Sequence, residues 1–163
     1  ELYAQAAERI IQKYPNARFH GCGPDEDNYR DLVRKLSDQG VLVYEGYVDD
    51  MKEIYKKIQC TIHPTYYPEG MSNVLLESLA CSRPIITTDR TGCREIVEDG
   101  VNGFVVEQKS LDDLIAKIEK YLSLNNEERK QLGITGRHKV EKQFDRNIVI
   151  DKYLETIAKV VNK

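Results

Sequence analysis

The sequence predicts an α/β protein with a Rossmann-like, doubly wound parallel sheet, helices on both faces and additional C-terminal helices. Short apolar runs alternate with segments of helical periodicity along most of the chain. Such alternation indicates parallel strands joined by helical crossovers, and the right-handed crossover rule then gives the doubly wound arrangement. The 163 residues are enough for a single domain with a substantial core.

The composition is that of an ordinary globular domain. Charged residues make up 31% and hydrophobic residues 40% of the chain, and the formal net charge is −3. This charge argues against a nucleic-acid partner. No apolar run approaches the roughly 20 residues that span a bilayer, and no signal peptide opens the chain. We therefore expect a cytoplasmic location, with the inner face of the membrane as an alternative for a longer parent protein.

The cysteines and histidines do not suggest a metal site. The four cysteines form no CxxC pair and have no spacing to a histidine that suits zinc. They lie mostly in or beside apolar segments, where a reduced thiol behaves as a small hydrophobic side chain. We expect neither a metal nor a separate cofactor.

The first helix is predicted over residues 2–14, because the apolar side chains there fall on one helical stripe and Pro15 follows. Residues 17–20 then form a short predicted strand, which closes at the segment 21–23. The abrupt start of the chain inside a helical pattern suggests a fragment of a longer protein.

The next elements are bounded by residues that favour helix ends. Pro24 suits the first position of a second helix, with the acids at 25–27 in its first turn and Gly40 as its stop. The apolar run 41–46 is the second predicted strand. Asp49 is the expected cap of a third helix that ends near residue 57.

The third predicted strand, residues 58–63, leads into a helix that ends near Ser82. Strands are also predicted at 84–88 and 103–106, with a short helical turn at 94–97 between them. Three C-terminal helices are predicted at residues 111–124, 126–143 and 146–161.

Ligands of parallel sheets bind at the edge where the strands have their C-terminal ends, which we call the carboxyl edge. Segments from several predicted strands converge there. These segments are residues 20–23, 46–48, 63–69 and 88–92.

The block from Glu69 to Glu77 is the most informative segment at this edge. Glu69 is expected in the loop before the helix, and Glu77 about one turn inside it. Because the helix is apolar over most of its circumference, we expect Glu77 to be buried and to need hydrogen-bond donors. Sugar hydroxyls are suitable donors, and the exposed N–H groups of residues 70–73 suit a phosphate. Together these features predict a nucleotide-sugar site.

Other interpretations of these segments have weaker support. Acidic residues near a helix start are common because the helix dipole favours them, so the pair alone is weak evidence. The glycines at 21 and 23 are similar to part of a dinucleotide fingerprint, but the third glycine is absent and acids follow. The chain contains no P-loop motif. The helix start after Glu69 is therefore the better anion site.

Four motifs follow one another here: EGMSNVLLESLA at 69–80, RPIITTD at 83–89, GCREIV at 92–97 and DGVNGF at 99–104. The series resembles retaining glycosyltransferase family 4, specifically the C-terminal, nucleotide-sugar-binding half of a GT-B enzyme. The resemblance covers about residues 1–145. It is strongest to enzymes that build capsular, exopolysaccharide or lipid-linked oligosaccharide chains from UDP-sugars, and it implies retaining, metal-independent sugar transfer.

The resemblance also implies roles for individual residues. Glu69 would bind hydroxyls of the donor hexose as the catalytic-site carboxylate, and Glu77 would accept hydrogen bonds from the ribose. The other expected donor-binding residues lie at the helix start and at the ends of the first two strands. They are Gly70, Met71, Ser72 and Asn73 for the sugar and distal phosphate, Tyr47 and Val48 for the base, and Gly21 and Gly23 for close approach of the backbone.

Some features of the family pattern are changed or missing. Many relatives have an aromatic residue at the position of Met71 and glycine at the position of Ser72, so the sugar specificity is expected to differ. The resemblance implies that the N-terminal acceptor domain, the first strand of this half and the Arg and Lys that clasp the diphosphate lie outside this chain. We therefore expect the chain alone to be inactive and to bind UDP or UDP-sugar weakly. Its expected partners are that missing domain and a glycan or lipid-linked acceptor, and any membrane association would come through the missing half.

Two alternatives to an enzyme of this kind stay open at this point. One is a non-catalytic nucleotide-sugar-binding or interaction module, and the other is an epimerase of the same architecture. The basic stretch 129–142 is interleaved with glutamates, which favours a solvated helix over a membrane or polyanion face. The last helix would pack on the N-terminal half in the family, and here it either folds onto the domain or exposes its apolar side chains.

Overall fold

The computed structural model describes residues 1–24, 27–68 and 70–161. Helices and strands alternate along the first half of these residues, and three helices close the chain. The helices are α1 Leu2–Lys13, α2 Arg30–Asp38, α3 Lys52–Lys57, α4 Asn73–Ala80, α5 Leu111–Ser123, α6 Asn126–Gln143 and α7 Arg146–Val161. The strands are β1 Phe19–Cys22, β2 Leu42–Gly46, β3 Thr61–His63, β4 Ile85–Thr88 and β5 Gly103–Val106.

The strands pair in parallel, as the alternation of elements predicts. β1 pairs with β2, and β4 lies between β3 and β5. Among the described residues the hydrogen-bonded ladders form these two groups, so the prediction of one continuous sheet is wrong in that detail. The predicted α/β class with parallel strands is confirmed. All the carboxyl ends within each group lie at the same edge.

Helices cover both faces of the three-stranded group. Successive residues of a strand point to opposite faces, and the two cores divide accordingly. Ile86 and Phe104 pack in one core with buried side chains of α1 and α5. Ile85 packs in the other core with Leu75 and Leu79 of α4. The second core fixes α4 on the sheet with its first residue towards the carboxyl edge.

Two predicted helix starts are wrong. α2 begins at Arg30, after a turn in which Asp27 pairs with Arg30 at 2.9 Å, and not at Pro24. The predicted acids Asp25 and Glu26 lie outside the described residues. α3 begins at Lys52 with Met51 at its N-cap and no side-chain cap, so the predicted Asp49 cap is wrong. The N–H of Lys52 donates to the carboxylate of Asp50 at 3.0 Å.

Two glycines allow α6 to approach the C-terminal end of α4 closely. A Cβ atom on Gly133 would lie 2.2 Å from the carbonyl oxygen of Ser82, and one on Gly136 would lie 2.5 Å from a methyl carbon of Leu79. Both glycines are buried. The close approach of the two helices covers the C-terminal end of α4 and leaves the side that carries Val74 and Glu77 exposed.

The last helix, α7, has no buried residue. Its exposed apolar side chains include Tyr153 at 68%, Leu154 at 58% and Ile157 at 55%. Of the two predicted arrangements, the second is confirmed: α7 exposes its apolar side chains. No helix in the described ranges is both long enough and apolar enough to cross a bilayer.

The close contact at Gly133 predicts a cost for adding a methyl group. Gly to Ala normally stabilises a helix interior by about 0.5–1 kcal/mol, but here the new methyl group meets a backbone carbonyl. We expect Gly133→Ala to lower the free energy of unfolding by roughly 1–3 kcal/mol. Gly136→Ala is the matched comparison, with a smaller loss because the Leu79 side chain can move. Urea unfolding measures both, and a Gly133→Ala variant at least as stable as wild type would contradict the packing.

Candidate active site

The carboxyl ends of β1 and β2 are joined by hydrogen bonds between their glycine turns. The N–H of Gly23 donates to the carbonyl of Gly46 at 2.9 Å, and the hydroxyl of Tyr44 donates to the carbonyl of Gly23 at 2.8 Å. Gly23 has φ +144° and Gly46 has φ +68°, values that strongly favour glycine. The two turns therefore form one rigid unit from which Tyr47 projects, 76% exposed.

Two buried threonines position the chain that leaves β3. The hydroxyl of Thr87 donates to the carbonyl of His63 at 2.8 Å, and the hydroxyl of Thr88 donates to the carbonyl of Thr65. Both threonines lie on the adjacent strand, β4, and are at most 1% exposed. The start of the loop that leads to the predicted catalytic-site carboxylate is thus fixed. Glu69 itself lies outside the described residues.

The first turn of α4 lies against the loop that follows β4. Ser72 is 4% exposed, and its N–H donates to the carbonyl of Gly92 at 3.2 Å. The prediction of four free N–H groups at residues 70–73 is therefore wrong for Ser72, whose N–H already has a protein partner. Gly70, Met71 and Asn73 are exposed. The exposed residues around Ser72 give the helix start an open surface.

Glu77 lies one turn into α4 and is exposed. The prediction that it is buried is wrong, because α4 buries only the stripe that contains Leu75, Ser78 and Leu79. Val74, on the same side of the helix as Glu77, is 41% exposed. The Glu77 carboxylate can therefore meet a ligand without the cost of burying an unpaired charge.

The other predicted binding residues lie near the ends of β1 and β2. Gly23, Tyr47 and Val48 follow these strands directly, at the carboxyl edge. Gly21 is different, because it lies within β1 opposite Tyr44, where an added Cβ would be 3.4 Å from the Leu42 side chain. This distance is an ordinary van der Waals contact, so sheet packing does not require glycine at position 21, and its close approach to a donor stays a prediction.

Two polar contacts at this end of the molecule were not predicted. The hydroxyl of Tyr55, on α3, lies 3.5 Å from a carboxylate oxygen of Glu77. Across β1 and β2, Nδ1 of His20 lies 2.8 Å from Oε1 of Glu45. In the second case a signal existed in the sequence, because each residue is a polar interruption of an apolar strand.

An exposed aromatic pair follows β3. The rings of Tyr66 and Tyr67 stack with centroids 4.5 Å apart, and the ammonium group of Lys109 lies 5.2 Å from the centre of the Tyr66 ring. Tyr67 is 61% exposed. The loop before Glu69 is therefore stiffened by its own aromatic side chains.

Two cavities open on other surfaces of the protein. One of about 560 Å³ is lined mainly by α1, and one of about 950 Å³ lies beside α2 and β2. Neither is lined by a predicted site residue. Ligands of parallel α/β sheets bind at the carboxyl edge, so the candidate site lies at that edge and not in either cavity. Within the described residues, no group of three or more acidic, His or Cys side chains could hold a metal ion.

The comparison with protein-family models identifies the family of the chain. Residues 1–139 match the model of the glycosyl transferases, group 1. The chain belongs to this family. The matched range includes the helix start at 70–73, Glu77 and the glycine turns of β1 and β2.

Curated relatives are named as glycosyltransferases, one of them in capsular polysaccharide biosynthesis. The capsular polysaccharide biosynthesis glycosyltransferase CapM of Staphylococcus aureus is 33% identical over 126 residues, covering 77% of this chain and 31% of the relative. The putative glycosyltransferase EpsD of Bacillus subtilis is 30% identical over 135 residues, covering 77% of this chain and 35% of the relative. The chain thus spans about a third of the length of these relatives.

Solved structures, one of them of a glycosyl transferase group 1 family protein, share the fold. TarM of S. aureus, as a mutant in complex with Fondaparinux, alpha-GlcNAc-glycerol and UDP, has a TM-score of 0.84 at 20% identity, over 94% of this chain and 31% of that one. HepE of Anabaena, in complex with UDP and glucose, has a TM-score of 0.81 at 20% identity, over 96% of this chain and 44% of that one. The C-terminal domain of LpcC from Francisella tularensis, a glycosyl transferase group 1 family protein, has a TM-score of 0.72 at 24% identity, over 88% of this chain and 77% of that one.

The His20–Glu45 contact predicts a pH-dependent contribution to stability. The hydrogen bond with His20 holds the pKa of the Glu45 carboxyl below its ordinary value, and Lys57, 3.8 Å away, acts in the same direction. A depressed pKa in the folded protein means that the stabilisation is complete above the ordinary carboxyl pKa and is lost as the pH falls through the folded-state value. We expect Glu45→Gln to be less stable than wild type near neutral pH, with the difference shrinking in acid.

Denaturant unfolding at a series of pH values measures this difference. Glu98→Gln, at an exposed position, is the control and should show no comparable change with pH. A Glu45→Gln deficit that stays constant from neutral to strongly acid pH would contradict the role given to the charge.

Proposed function

We propose that this chain is the donor-binding domain of a retaining, metal-independent glycosyltransferase. The full-length enzyme transfers a sugar from a nucleotide-sugar, most simply a UDP-sugar, to a growing polysaccharide or lipid-linked glycan. The family membership and the biosynthetic relatives support transfer of a sugar as the reaction. The choice of UDP draws on the UDP present in the TarM and HepE structures.

The observation that carries the proposal is the position of Glu77. Its carboxylate is exposed at the carboxyl edge, one turn from the start of α4 and on the side of that helix that does not contact the sheet. An exposed, ionised carboxylate is an acceptor for two neighbouring hydroxyl groups, and ribose presents such a pair. We assign Glu77 to the ribose of the donor.

The start of α4 supports a place for the phosphate. The N–H groups of a helix start and the positive end of the helix dipole favour an anion. With the Ser72 N–H engaged by Gly92, the remaining candidates are the N–H groups of Gly70, Met71 and Asn73. These groups would stabilise the negative charge that develops on the leaving diphosphate, a contribution that needs no metal ion.

The remaining donor contacts follow from the neighbouring strand ends. The rigid turns at Gly23 and Gly46 bring Tyr47 and Val48 to the side of the edge where the base would lie. The hexose would extend from the helix start towards Glu69, which we propose contacts its hydroxyls. In this arrangement the base, ribose, phosphate and sugar follow one another along a single edge.

The acceptor side requires a second domain. The chain spans about a third of its curated relatives, and we propose that the rest of the enzyme supplies the acceptor site and the basic side chains that clasp the diphosphate. The apolar side chains of α7 are exposed over its length, which suits a helix that packs on that domain. On this basis the isolated chain binds donor weakly and does not catalyse transfer.

The assignment of Glu77 predicts the effect of removing its carboxylate. Hydrogen bonds to a charged group contribute about 1.5–3 kcal/mol each, so Glu77→Ala should weaken UDP binding by roughly 10- to 100-fold. Titration of the isotopically labelled chain with UDP, followed by NMR, gives the dissociation constant.

Glu155→Gln on α7 is the matched control, because it removes an exposed carboxylate at a position with no donor role. It should bind UDP as wild type does. If wild type, Glu77→Ala and Glu155→Gln bind UDP with the same affinity, Glu77 does not contact the nucleoside and the proposed donor site is wrong.

A further inference from the structure

Tyr55 reaches from α3 to the side of α4 that carries Glu77. Its side chain is almost completely buried, at 2% exposure. The hydroxyl lies 3.2 Å from the carbonyl oxygen of Val74 and 3.5 Å from Oε2 of Glu77. A buried ring thus presents a single polar atom to an exposed carboxylate.

The residues around Tyr55 hold the ring in this place. The guanidinium Nε of Arg83 donates to the carbonyl of Tyr55 at 2.5 Å. The carbonyl of Arg83 accepts from the hydroxyl of Ser78 at 3.0 Å, and that hydroxyl lies 2.8 Å from the hydroxyl of Thr61. A chain of contacts therefore links α3, α4, β3 and the loop before β4. It fixes the distance between Tyr55 and the backbone of α4.

The Tyr55 hydroxyl has one proton and two possible acceptors. A carboxylate is a stronger acceptor than a peptide carbonyl, although the observed distance to Glu77 is longer than that of a well-formed O–H···O bond. Burial, and next the negative charge of Glu77, raise the pKa of the Tyr55 hydroxyl. The hydroxyl therefore stays protonated and remains a donor at neutral pH.

We propose that Tyr55 is a positioning residue for the nucleotide: it donates its hydroxyl proton to Oε2 of Glu77 and thereby directs the carboxylate towards the ribose diol. This inference rests on the proposed function, because it takes Glu77 as the ribose-binding group. On binding, the two ribose hydroxyls donate to the carboxylate while Tyr55 keeps its contact with Oε2. No bond is made or broken, and Tyr55 does not touch the ligand.

The geometry explains why an exposed carboxylate needs such a partner. Glu77 has no other side-chain hydrogen bond among those observed in the described residues, and a free glutamate side chain samples several rotamers. A donor fixed in the core restricts those rotamers before the ligand arrives. The ordering cost is then met during folding and not on binding, which is preorganisation.

Tyr55→Phe removes the hydroxyl and keeps the ring. Loss of one uncharged donor is expected to weaken UDP binding by roughly 3- to 10-fold. The 2′,3′-dideoxy form of UDP lacks both ribose hydroxyls, so its weaker binding should be the same for wild type and Tyr55→Phe. A loss confined to UDP cannot come from general damage to the fold, because that damage would affect both ligands.

Tyr121→Phe is the matched control. Tyr121 is also buried, and its hydroxyl donates to the carbonyl of Gln59 at 2.8 Å, away from Glu77. It should lose stability as Tyr55→Phe does, but bind UDP as wild type does. In a Glu77→Ala background, Tyr55→Phe should cause no further loss of UDP affinity.

The results separate this inference from the proposed function. If Glu77→Ala binds UDP as wild type does, the proposed donor site is wrong and the inference falls with it. Suppose that Glu77→Ala weakens UDP binding. If Tyr55→Phe then leaves UDP binding unchanged, or weakens the binding of UDP and of the dideoxy nucleotide equally, only the inference is overturned.

A measurement on the wild-type chain covers the case in which Tyr55→Phe does not fold. With tyrosine labelled by carbon-13 at the ring carbon that bears the hydroxyl, the Tyr55 signal should move on addition of UDP and not on addition of the dideoxy nucleotide. Equal movement with both ligands, or no movement with either, would contradict the positioning role.

Discussion

The packing of α4 on the three-stranded sheet is the constraint on which the rest of the site depends. Leu75 and Leu79 are fully buried against Ile85, and each such side chain contributes about 1.5–3 kcal/mol when removed from water. Because the apolar residues occupy one stripe, the same packing leaves Glu77 exposed on the other side. α6 closes over the far end of the helix at its two glycines. Core packing therefore sets both the direction of the helix start and the side on which the carboxylate lies.

Hydrogen bonds to backbone carbonyls give the carboxyl edge its shape, and exposed side chains add the chemistry. The turns after β1 and β2 are joined through Gly23 and Gly46. The chain after β3 is held by the hydroxyls of Thr87 and Thr88. These contacts involve no charged group, so the edge keeps its form while the exposed residues on it remain available to a ligand. Exposed positions such as Met71 can therefore change without loss of the scaffold.

Sequence patterns predicted the strongly periodic elements well. The predicted bounds of β5 and α6 are those observed, because hydrophobic periodicity and capping residues act locally. The predicted start of α2 was wrong because proline followed by acidic residues suits a turn as well as the first turn of a helix. The prediction that Glu77 is buried was wrong because the number of apolar residues in α4 does not show which face of the helix packs on the sheet. The Tyr55–Glu77 and His20–Glu45 contacts join residues 22 and 25 positions apart. A local pattern can mark His20 and Glu45 as polar residues in apolar strands, but it does not say which residues pair.

The most direct test of the donor site is the location of the backbone amide shifts when UDP is added to the labelled chain. We expect the shifts to include Tyr47 and Val48, the helix start at Gly70 and Asn73, and Glu77, and to follow one binding curve. Shifts confined to other surfaces, such as the cavity beside α2 and β2, would contradict a donor site at the carboxyl edge.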